Sequence, residues 1–146
     1  MILYLDTSAL IKRYVRESFS AEVVELVENS ALVGISILAR VEMASALAKA
    51  RRQGWIQPDS AQQSWQDFLS HWPYYTRLNV TTTSLDRAAA LAWVHGLRGY
   101  DAAHLAAAMI WQEALGSPVT LATFDRDLWI AGEKERMQVW PVETFF

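Results

Sequence analysis

The chain has 146 residues, 52% of them hydrophobic, so residues 1–146 are predicted to form one compact domain with a sizeable core. It contains no cysteine, which excludes disulfides, zinc–thiolate sites and cysteine nucleophiles. Its formal net charge of -3 argues against a broadly basic nucleic-acid surface. No basic and apolar leader or membrane-length apolar run is found, so we expect a soluble cytoplasmic protein with no membrane contact.

The first half of the chain alternates apolar runs of strand length with helical spacings. Asp6, Thr7 and Ser8 directly follow the first apolar run and carry the side-chain oxygens that cap helices. In chain order, the predicted elements are a strand at 2–5, a helix from about residue 9, a helix at 21–28, a strand at 32–36, and helices at 38–52 and 58–72. The last two helices are expected to pack as a hairpin.

The second half of the chain continues this alternation. A capping-box pattern at Thr83–Asp86 predicts the start of a helix, and the almost wholly apolar stretch after Asp101 predicts a helix buried on most faces. The predicted elements are a strand at 77–80, helices at 88–94 and 101–115, a strand at 119–122, a helix at 125–130 and a strand at 137–139. Strands separated by helices imply a parallel sheet with helices on both faces.

Four acidic residues occupy positions where such a fold gathers functional groups. Asp6, Asp101 and Asp125 follow a strand or open a helix, and the carboxyl ends of parallel strands meet at one edge of the sheet. Glu42 lies inside the predicted helix 38–52. Taken singly, each aspartate is explained by helix capping and Glu42 by a solvated helix face. Taken together, the four residues predict a shared site.

A cluster of four carboxylates favours a bound divalent metal. Mutual repulsion and burial would raise their pKa values unless a cation neutralised them. Oxygen ligands in a chain without cysteine favour a hard cation, Mg²⁺ or Mn²⁺. His104, three residues after Asp101, is interpreted as a packing or hydrogen-bonding histidine, so its replacement by glutamine should spare metal binding.

Two other classes of acidic α/β protein fit the sequence less well. A phosphoacceptor receiver domain would end its third strand with an aspartate, but the segment Asn79–Thr83 contains no acid. A haloacid-dehalogenase-type phosphatase would need an aspartate two residues after Asp6, where Ser8 stands. The chain also lacks a glycine-rich phosphate loop and a G-x-S-x-G elbow.

In order and spacing, four segments resemble the PIN-domain ribonucleases, and most closely the VapC-type toxins of toxin–antitoxin pairs. The segments are Leu5–Leu10, Ser36–Glu42 with Ala44–Leu47 after it, Tyr100–Ala106, and Thr123–Asp125. The resemblance covers nearly the whole chain. It implies a PIN-like three-layer α/β/α sandwich with a central five-stranded parallel sheet.

The resemblance also implies roles for individual residues. The acidic catalytic and metal-site residues would be Asp6, Glu42, Asp101 and Asp125. The candidates for hydroxyl or acidic support are Thr7, Ser8, Thr123 and Asp127, and the best-placed basic residue for an RNA contact is Arg98. How the four carboxylates divide the work, and how many metals they hold, stays open.

The implied activity is Mg²⁺- or Mn²⁺-dependent endoribonuclease cleavage of RNA phosphodiester bonds. The implied partners are a VapB-type antitoxin, with a segment in an apolar groove beside the helix hairpin, and a second copy of the chain as a homodimer. Phe145 and Phe146 are candidates for either interface. Two alternatives remain: a PIN nuclease of RNA processing without an antitoxin, and a catalytically silent PIN scaffold. The sequence names neither the RNA target nor the antitoxin.

Overall fold

The computed structural model describes residues 1–143, whose core is a five-stranded parallel sheet. The strands are β1 Ile2–Leu5, β2 Leu32–Ser36, β3 Thr76–Leu78, β4 Thr120–Ala122 and β5 Gln138–Trp140. They lie in the order β3-β2-β1-β4-β5, and Leu5 of the central strand is in register with Ile35 on one side and Ala122 on the other. The carboxyl ends of β1, β2 and β4 therefore lie side by side. Phe145 and Phe146 lie outside the described residues.

Helices connect the strands, which is why the strands run parallel. The helices are α1 Thr7–Leu10, α2 Ser20–Glu28, α3 Ala39–Arg52, α4 Pro58–His71, α5 Thr82–His95, α6 Gly99–Leu115 and α7 Arg126–Lys134, with short 3-10 helices at Ile11–Arg13 and Trp72–Tyr74. The predicted alternation of strands and helices is confirmed. Within residues 1–143, no helix is long and apolar enough to cross a membrane.

The sheet has a hydrophobic core on each face. Successive side chains of a strand point to opposite faces, so Leu3 and Leu5 of β1 lie on one side and Tyr4 on the other. The core around Leu3 and Leu5 is built with α1 to α4 and includes Val23, Met43 and Phe68. The core around Tyr4 is built with α5 to α7 and includes Leu91, Leu105 and Leu128. The predicted three-layer sandwich is confirmed.

The start of α5 differs from the prediction. The predicted capping box at Thr83–Asp86 is wrong, because the residue with extended backbone is Thr81 (φ -123°, ψ 167°) and the helix begins at Thr82. Ser84 N–H donates to Thr81 Oγ1 at 3.1 Å, and Thr81 N–H donates to Ser84 Oγ at 2.8 Å. Serine thus supplies the reciprocal acceptor that an acid supplies in most capping boxes.

Boundaries of β3, α6 and α7 also differ from the predicted ones by a few residues. Strand β3 covers 76–78 rather than 77–80, and α7 runs on to Lys134 instead of ending at 130. Helix α6 begins at Gly99 because the extended backbone of Arg98 (φ -63°, ψ 153°) ends there. Asp101 consequently lies in the first turn of α6 and does not cap the helix.

Candidate functional site

Asp6 lies at the carboxyl end of the central strand and is almost fully buried. Its Oδ1 accepts hydrogen bonds from Ala9 N–H at 2.9 Å and from Ser8 Oγ at 2.7 Å, and its Oδ2 accepts one from Thr123 Oγ1 at 2.6 Å. The carboxylate therefore caps α1, as its sequence position predicted, and also joins the ends of β1 and β4.

Burial makes the negative charge of Asp6 costly. It raises the pKa of Asp6, while the nearby His104 and the hydrogen bonds from Thr123, Ser8 and Ala9 lower it without cancelling the effect of burial. Burial also raises the pKa of Asp101, against the hydrogen bond from Arg98. A positive charge brought to either carboxylate would favour its ionised form.

The predicted hydroxyl residues have different surroundings. Thr123 Oγ1 accepts from Asp125 N–H at 3.0 Å, and Ser8 Oγ accepts from Phe124 N–H at 2.8 Å. Both hydroxyls thus tie the loop after β4 to Asp6. Thr7 Oγ1 is buried and has no hydrogen-bond partner in the described part of the chain.

Arg98 bridges two of the acidic residues. Its Nε donates to Asp101 Oδ2 at 2.9 Å, and its Nη2 donates to Asp125 Oδ2 at 2.8 Å. The other oxygen of Asp125, Oδ1, accepts from Leu128 N–H at 2.9 Å and caps α7. Arg98 was predicted as an RNA contact, and in the structure its guanidinium pairs with the acidic site.

Glu42 lies in the first turn of α3 and contacts His104 of α6. His104 Nε2 and Glu42 Oε1 are 2.9 Å apart, and His104 Nδ1 and the hydroxyl of Tyr4 are 2.8 Å apart. Because a carboxylate only accepts hydrogen bonds, Nε2 is the donor to Glu42. The explanation of Glu42 as a solvated helix face is wrong, because its side chain is only 20% exposed and its Oε1 is hydrogen-bonded to His104.

Sequence reasoning missed the Tyr4–His104–Glu42 connection. His104 is buried, and buried polar groups are hydrogen-bonded, so a histidine on an otherwise apolar helix was a signal that a partner existed. Burial lowers the pKa of His104, but Glu42, Asp6 and Asp101 together raise it above its usual value. One imidazole therefore lies within electrostatic reach of three of the four predicted acids.

Asp127 lies apart from this arrangement. It is exposed in the first turn of α7 and makes no hydrogen bond or ion pair with residues 1–143. Three of the four acids predicted as the core of the site are hydrogen-bonded to a basic side chain: Glu42 to His104 on the buried side, and Asp101 and Asp125 to Arg98 on the exposed side. The fourth, Asp6, is reached by His104 only electrostatically.

The site contains the right donors for a hard cation, but two of them are engaged by Arg98. Among residues 1–143, no three acidic or histidine side chains stand in a group ready to hold a metal ion. The donor set itself is made of carboxylate oxygens, with the partnerless hydroxyl of Thr7 beside Asp6. Oxygen donors of this kind fit Mg²⁺ or Mn²⁺ once the guanidinium of Arg98 has moved.

A groove of about 390 Å³ lies between α3 and α4, the helices predicted to form a hairpin. Its lining combines apolar residues, among them Leu47, Ala61 and Trp65, with charged ones, among them Arg51 and Asp59. A groove was expected at this hairpin and Trp65 belongs to it, but the lining is as polar as it is apolar.

Comparisons with known proteins agree with this fold. A sequence model of the PIN domain matches residues 3–133. Ribonuclease VapC45 of Mycobacterium tuberculosis (strain CDC 1551 / Oshkosh) is 32% identical over 146 residues, covering 97% of this chain and 96% of the relative. Ribonuclease VapC3 of Pyrobaculum aerophilum is 33% identical over 130 residues, covering 88% and 92%.

A solved structure, a toxin–antitoxin complex from Klebsiella pneumoniae, superposes with a TM-score of 0.62 at 19% identity, over 87% of this chain and 89% of the other. At that identity the likeness concerns the fold alone. PIN-domain nucleases of the VapC type are generally dependent on a divalent metal. With a family match over most of its length and relatives above 30% identity, the chain belongs to the PIN-domain family, alongside the VapC ribonucleases.

Proposed function

We propose that this protein is a metal-dependent endoribonuclease that hydrolyses RNA phosphodiester bonds and acts as the toxin of a toxin–antitoxin pair. The observation that carries the proposal is the meeting of Asp6, Glu42, Asp101 and Asp125, from four separate segments, around His104 and Arg98. Two relatives above 30% identity that are named ribonucleases support RNA as the substrate.

The four carboxylates would hold Mg²⁺ or Mn²⁺. When bound, such a cation supplies positive charge to phosphate oxygens and makes water more acidic. Asp6 is suited to be the fixed anchor, because three donors set the orientation of its carboxylate. Asp101 and Asp125 would complete the site at the exposed side, where Arg98 reaches them.

Glu42 would orient the attacking water or help to hold a second cation. Its Oε1 is fixed by His104, and within residues 1–143 its Oε2 makes no hydrogen bond. The oxygen left over is therefore able to accept a proton from water in a defined direction. Thr123 and Ser8 act through Asp6, and Asp127 is the weakest of the supporting candidates because it is exposed and uncontacted.

The partner we propose is a VapB-type antitoxin in the cytoplasm, with an amphipathic segment in the groove between α3 and α4, whose lining is partly apolar and partly polar. The complex from Klebsiella pneumoniae, which shares the fold, is described as a toxin–antitoxin complex. A homodimer of this chain is proposed on the same family grounds.

RNA cleavage with matched variants tests the nuclease. Structured and single-stranded RNAs are incubated with wild-type protein in Mg²⁺ or Mn²⁺, and with Asp6→Asn, Asp101→Asn and Asp86→Asn, the last being an exposed aspartate of α5 that serves as the control. We expect cleavage to be lost in EDTA and to fall about 100-fold or more in the first two variants. Equal rates in all four proteins would refute the site.

Growth assays test the toxin role separately. We expect expression of the wild-type protein to arrest growth and co-expression of a small protein encoded beside it to restore growth. A protein that cleaves RNA in vitro without arresting growth would instead be a processing nuclease. A protein that does neither would be a silent scaffold.

A further inference from the structure

Arg98 occupies the carboxylate oxygens that a cation would need. Its side chain is 78% exposed, whereas the side chains of Asp101 and Asp125 are 11% and 22% exposed. The guanidinium thus closes the site from the solvent side. Both oxygens of Asp125 accept a hydrogen bond, because Oδ1 caps α7 and Oδ2 accepts from Arg98.

The arginine and a divalent cation compete at these carboxylates. Arg98 places its positive charge on Asp101 Oδ2 and Asp125 Oδ2, and a second cation bound to the same carboxylates would be repelled by it. The two aspartates also repel each other, because both are acidic and both pair with the same guanidinium of Arg98. Removing Arg98 without replacing its charge would leave two like charges facing each other.

Arg98 is able to leave without disturbing the core. Its side chain makes no other hydrogen bond or ion pair with residues 1–143, and its backbone precedes α6 in extended conformation between Gly96 and Gly99. Release breaks two ion pairs in which the guanidinium is exposed to solvent, and pairs of an exposed arginine are weak individually.

We propose that Arg98 is an exchangeable counter-ion: it holds Asp101 and Asp125 together until a divalent cation replaces it at these carboxylates, and its released guanidinium then binds a phosphate of the substrate RNA. The inference rests on the proposed function. It makes Arg98 a positioning residue in the metal-free protein and a substrate contact in the metal-loaded one. A guanidinium suits both roles, because its donors fit carboxylate and phosphate oxygens alike.

If Arg98 exchanges in this way, replacing it should have opposite effects on the affinity for metal and on the affinity for RNA. Metal must displace Arg98, so the apparent metal affinity equals the intrinsic affinity multiplied by the fraction of molecules in which Arg98 is released from the aspartates. Arg98→Gln should therefore bind Mn²⁺ more tightly, by roughly 2- to 30-fold for the loss of two ion pairs of an exposed arginine, and should show a higher KM for RNA. Arg98→Lys, which keeps the charge but loses the fork of donors, should tighten Mn²⁺ binding by a smaller factor.

The test is calorimetric titration of the full-length protein with Mn²⁺, paired with the KM for RNA. Arg126→Gln is the control, because Arg126 is an exposed neighbour of Asp125 that makes no contact with the site. It removes the same charge from the same region, and we expect its Mn²⁺ affinity to change less than about 2-fold. Circular dichroism establishes that each variant is folded.

A direct readout comes from the side-chain Nε–H signal of Arg98 in the nuclear magnetic resonance spectrum. We expect this proton to exchange slowly in the metal-free protein and to lose that protection when Mg²⁺ is added. Two results would overturn the exchange in a protein that still cleaves RNA. One is an equal Mn²⁺ affinity in Arg98→Gln and Arg126→Gln, and the other is an Nε–H exchange rate that Mg²⁺ leaves unchanged. Absence of both metal binding and RNA cleavage in the wild type would instead overturn the proposed function.

Discussion

At the scale of single residues, capping and function are combined in the same carboxylate. Asp6 Oδ1 caps α1 while Oδ2 contacts Thr123 across the sheet, and Asp125 divides its oxygens between Leu128 N–H and Arg98. The sequence presents capping and metal binding as competing explanations of an aspartate between strand and helix. Because a carboxylate has two oxygens with about four lone pairs, one explanation does not exclude the other.

His104 is expected to matter through Glu42. His104→Gln should lower RNA cleavage by about 10- to 100-fold, the usual effect of removing a group that orients a site residue, while Mn²⁺ binding changes little. Calorimetric titration with Mn²⁺ checks the metal binding, and cleavage rates measured on the same preparation check the activity. Tyr4→Phe is the companion variant, since it removes only the hydroxyl at Nδ1 and should have a smaller effect. A wild-type rate in His104→Gln would show that Glu42 needs no orientation.

His71 should make stability depend on pH outside the site. It contacts the hydroxyl of Tyr14 at 2.9 Å, and burial together with Arg13 lowers its pKa from 6.5. Between the lowered value and 6.5 the unfolded chain binds more protons, so His71 contributes stability above pH 6.5 that is lost as pH falls through the folded pKa. Urea unfolding at several pH values should show a steeper acid-side loss in wild type than in His71→Gln. Parallel curves would contradict this.

The contacts that sequence reasoning missed are those between residues that are far apart in the sequence and close together in the fold. Arg98 was selected because it precedes Asp101, but its second partner, Asp125, is reached only because α6 and α7 begin side by side. Tyr4 was assigned only to a strand, and its contact with His104 depends on which face of β1 meets α6. Neither relation has a local sequence pattern.

At the scale of elements, periodicity predicted the order of strands and helices, and local caps decided where they end. The existence of the five strands and the long helices follows mainly from apolar spacing. The boundaries of α5 and α6 were wrong because Thr81 and Arg98 adopt extended backbone ahead of the expected caps. The exact first residue depends on such backbone angles, which composition does not determine.

The contact between β2 and α6 gives an element-scale prediction. A Cβ built on Gly34 would lie 2.5 Å from Trp111 Cζ3, so the indole lies directly against the backbone of the strand. Gly34→Ala should destabilise the fold by about 1–3 kcal/mol through overpacking, measured by urea unfolding.

Gly99→Ala provides the control for that measurement. Gly99 has nothing within 4 Å of the built Cβ and opens α6, so alanine should leave stability unchanged or raise it slightly. Equal stability of the two variants would mean that Trp111 repacks without cost. The sequence shows a glycine inside a strand, but not which ring approaches it.

At the scale of the whole molecule, an acidic protein gathers four carboxylates at one sheet edge and balances them internally. The formal net charge is -3, yet His104 and Arg98 lie within the cluster. These two basic side chains offset part of the cost of burying Asp6 and Asp101. The order and spacing of the acidic segments predicted the family from sequence, whereas the single domain over residues 1–146 and the homodimer stay predictions.

Metal binding should stabilise the entire fold. A ligand present at about 100 times its Kd stabilises a protein by about 2.7 kcal/mol, which for a chain of this size corresponds to a rise in Tm of about 5–10 °C. Differential scanning calorimetry with and without saturating Mn²⁺ measures the rise, and Asp101→Asn should reduce it. The same rise in Asp101→Asn and wild type would place the metal elsewhere.

The central claim is that the acidic residues act together as one nuclease site, and a double-mutant comparison of RNA cleavage rates tests it most directly. Rates are measured in Mg²⁺ for wild type, Asp6→Asn, Asp101→Asn and the double variant. Groups that act as a unit are strongly non-additive, so we expect each single change to cost about 100-fold or more and the double variant to be little slower than the slower single. Single variants that cleave RNA at the wild-type rate would contradict the claim.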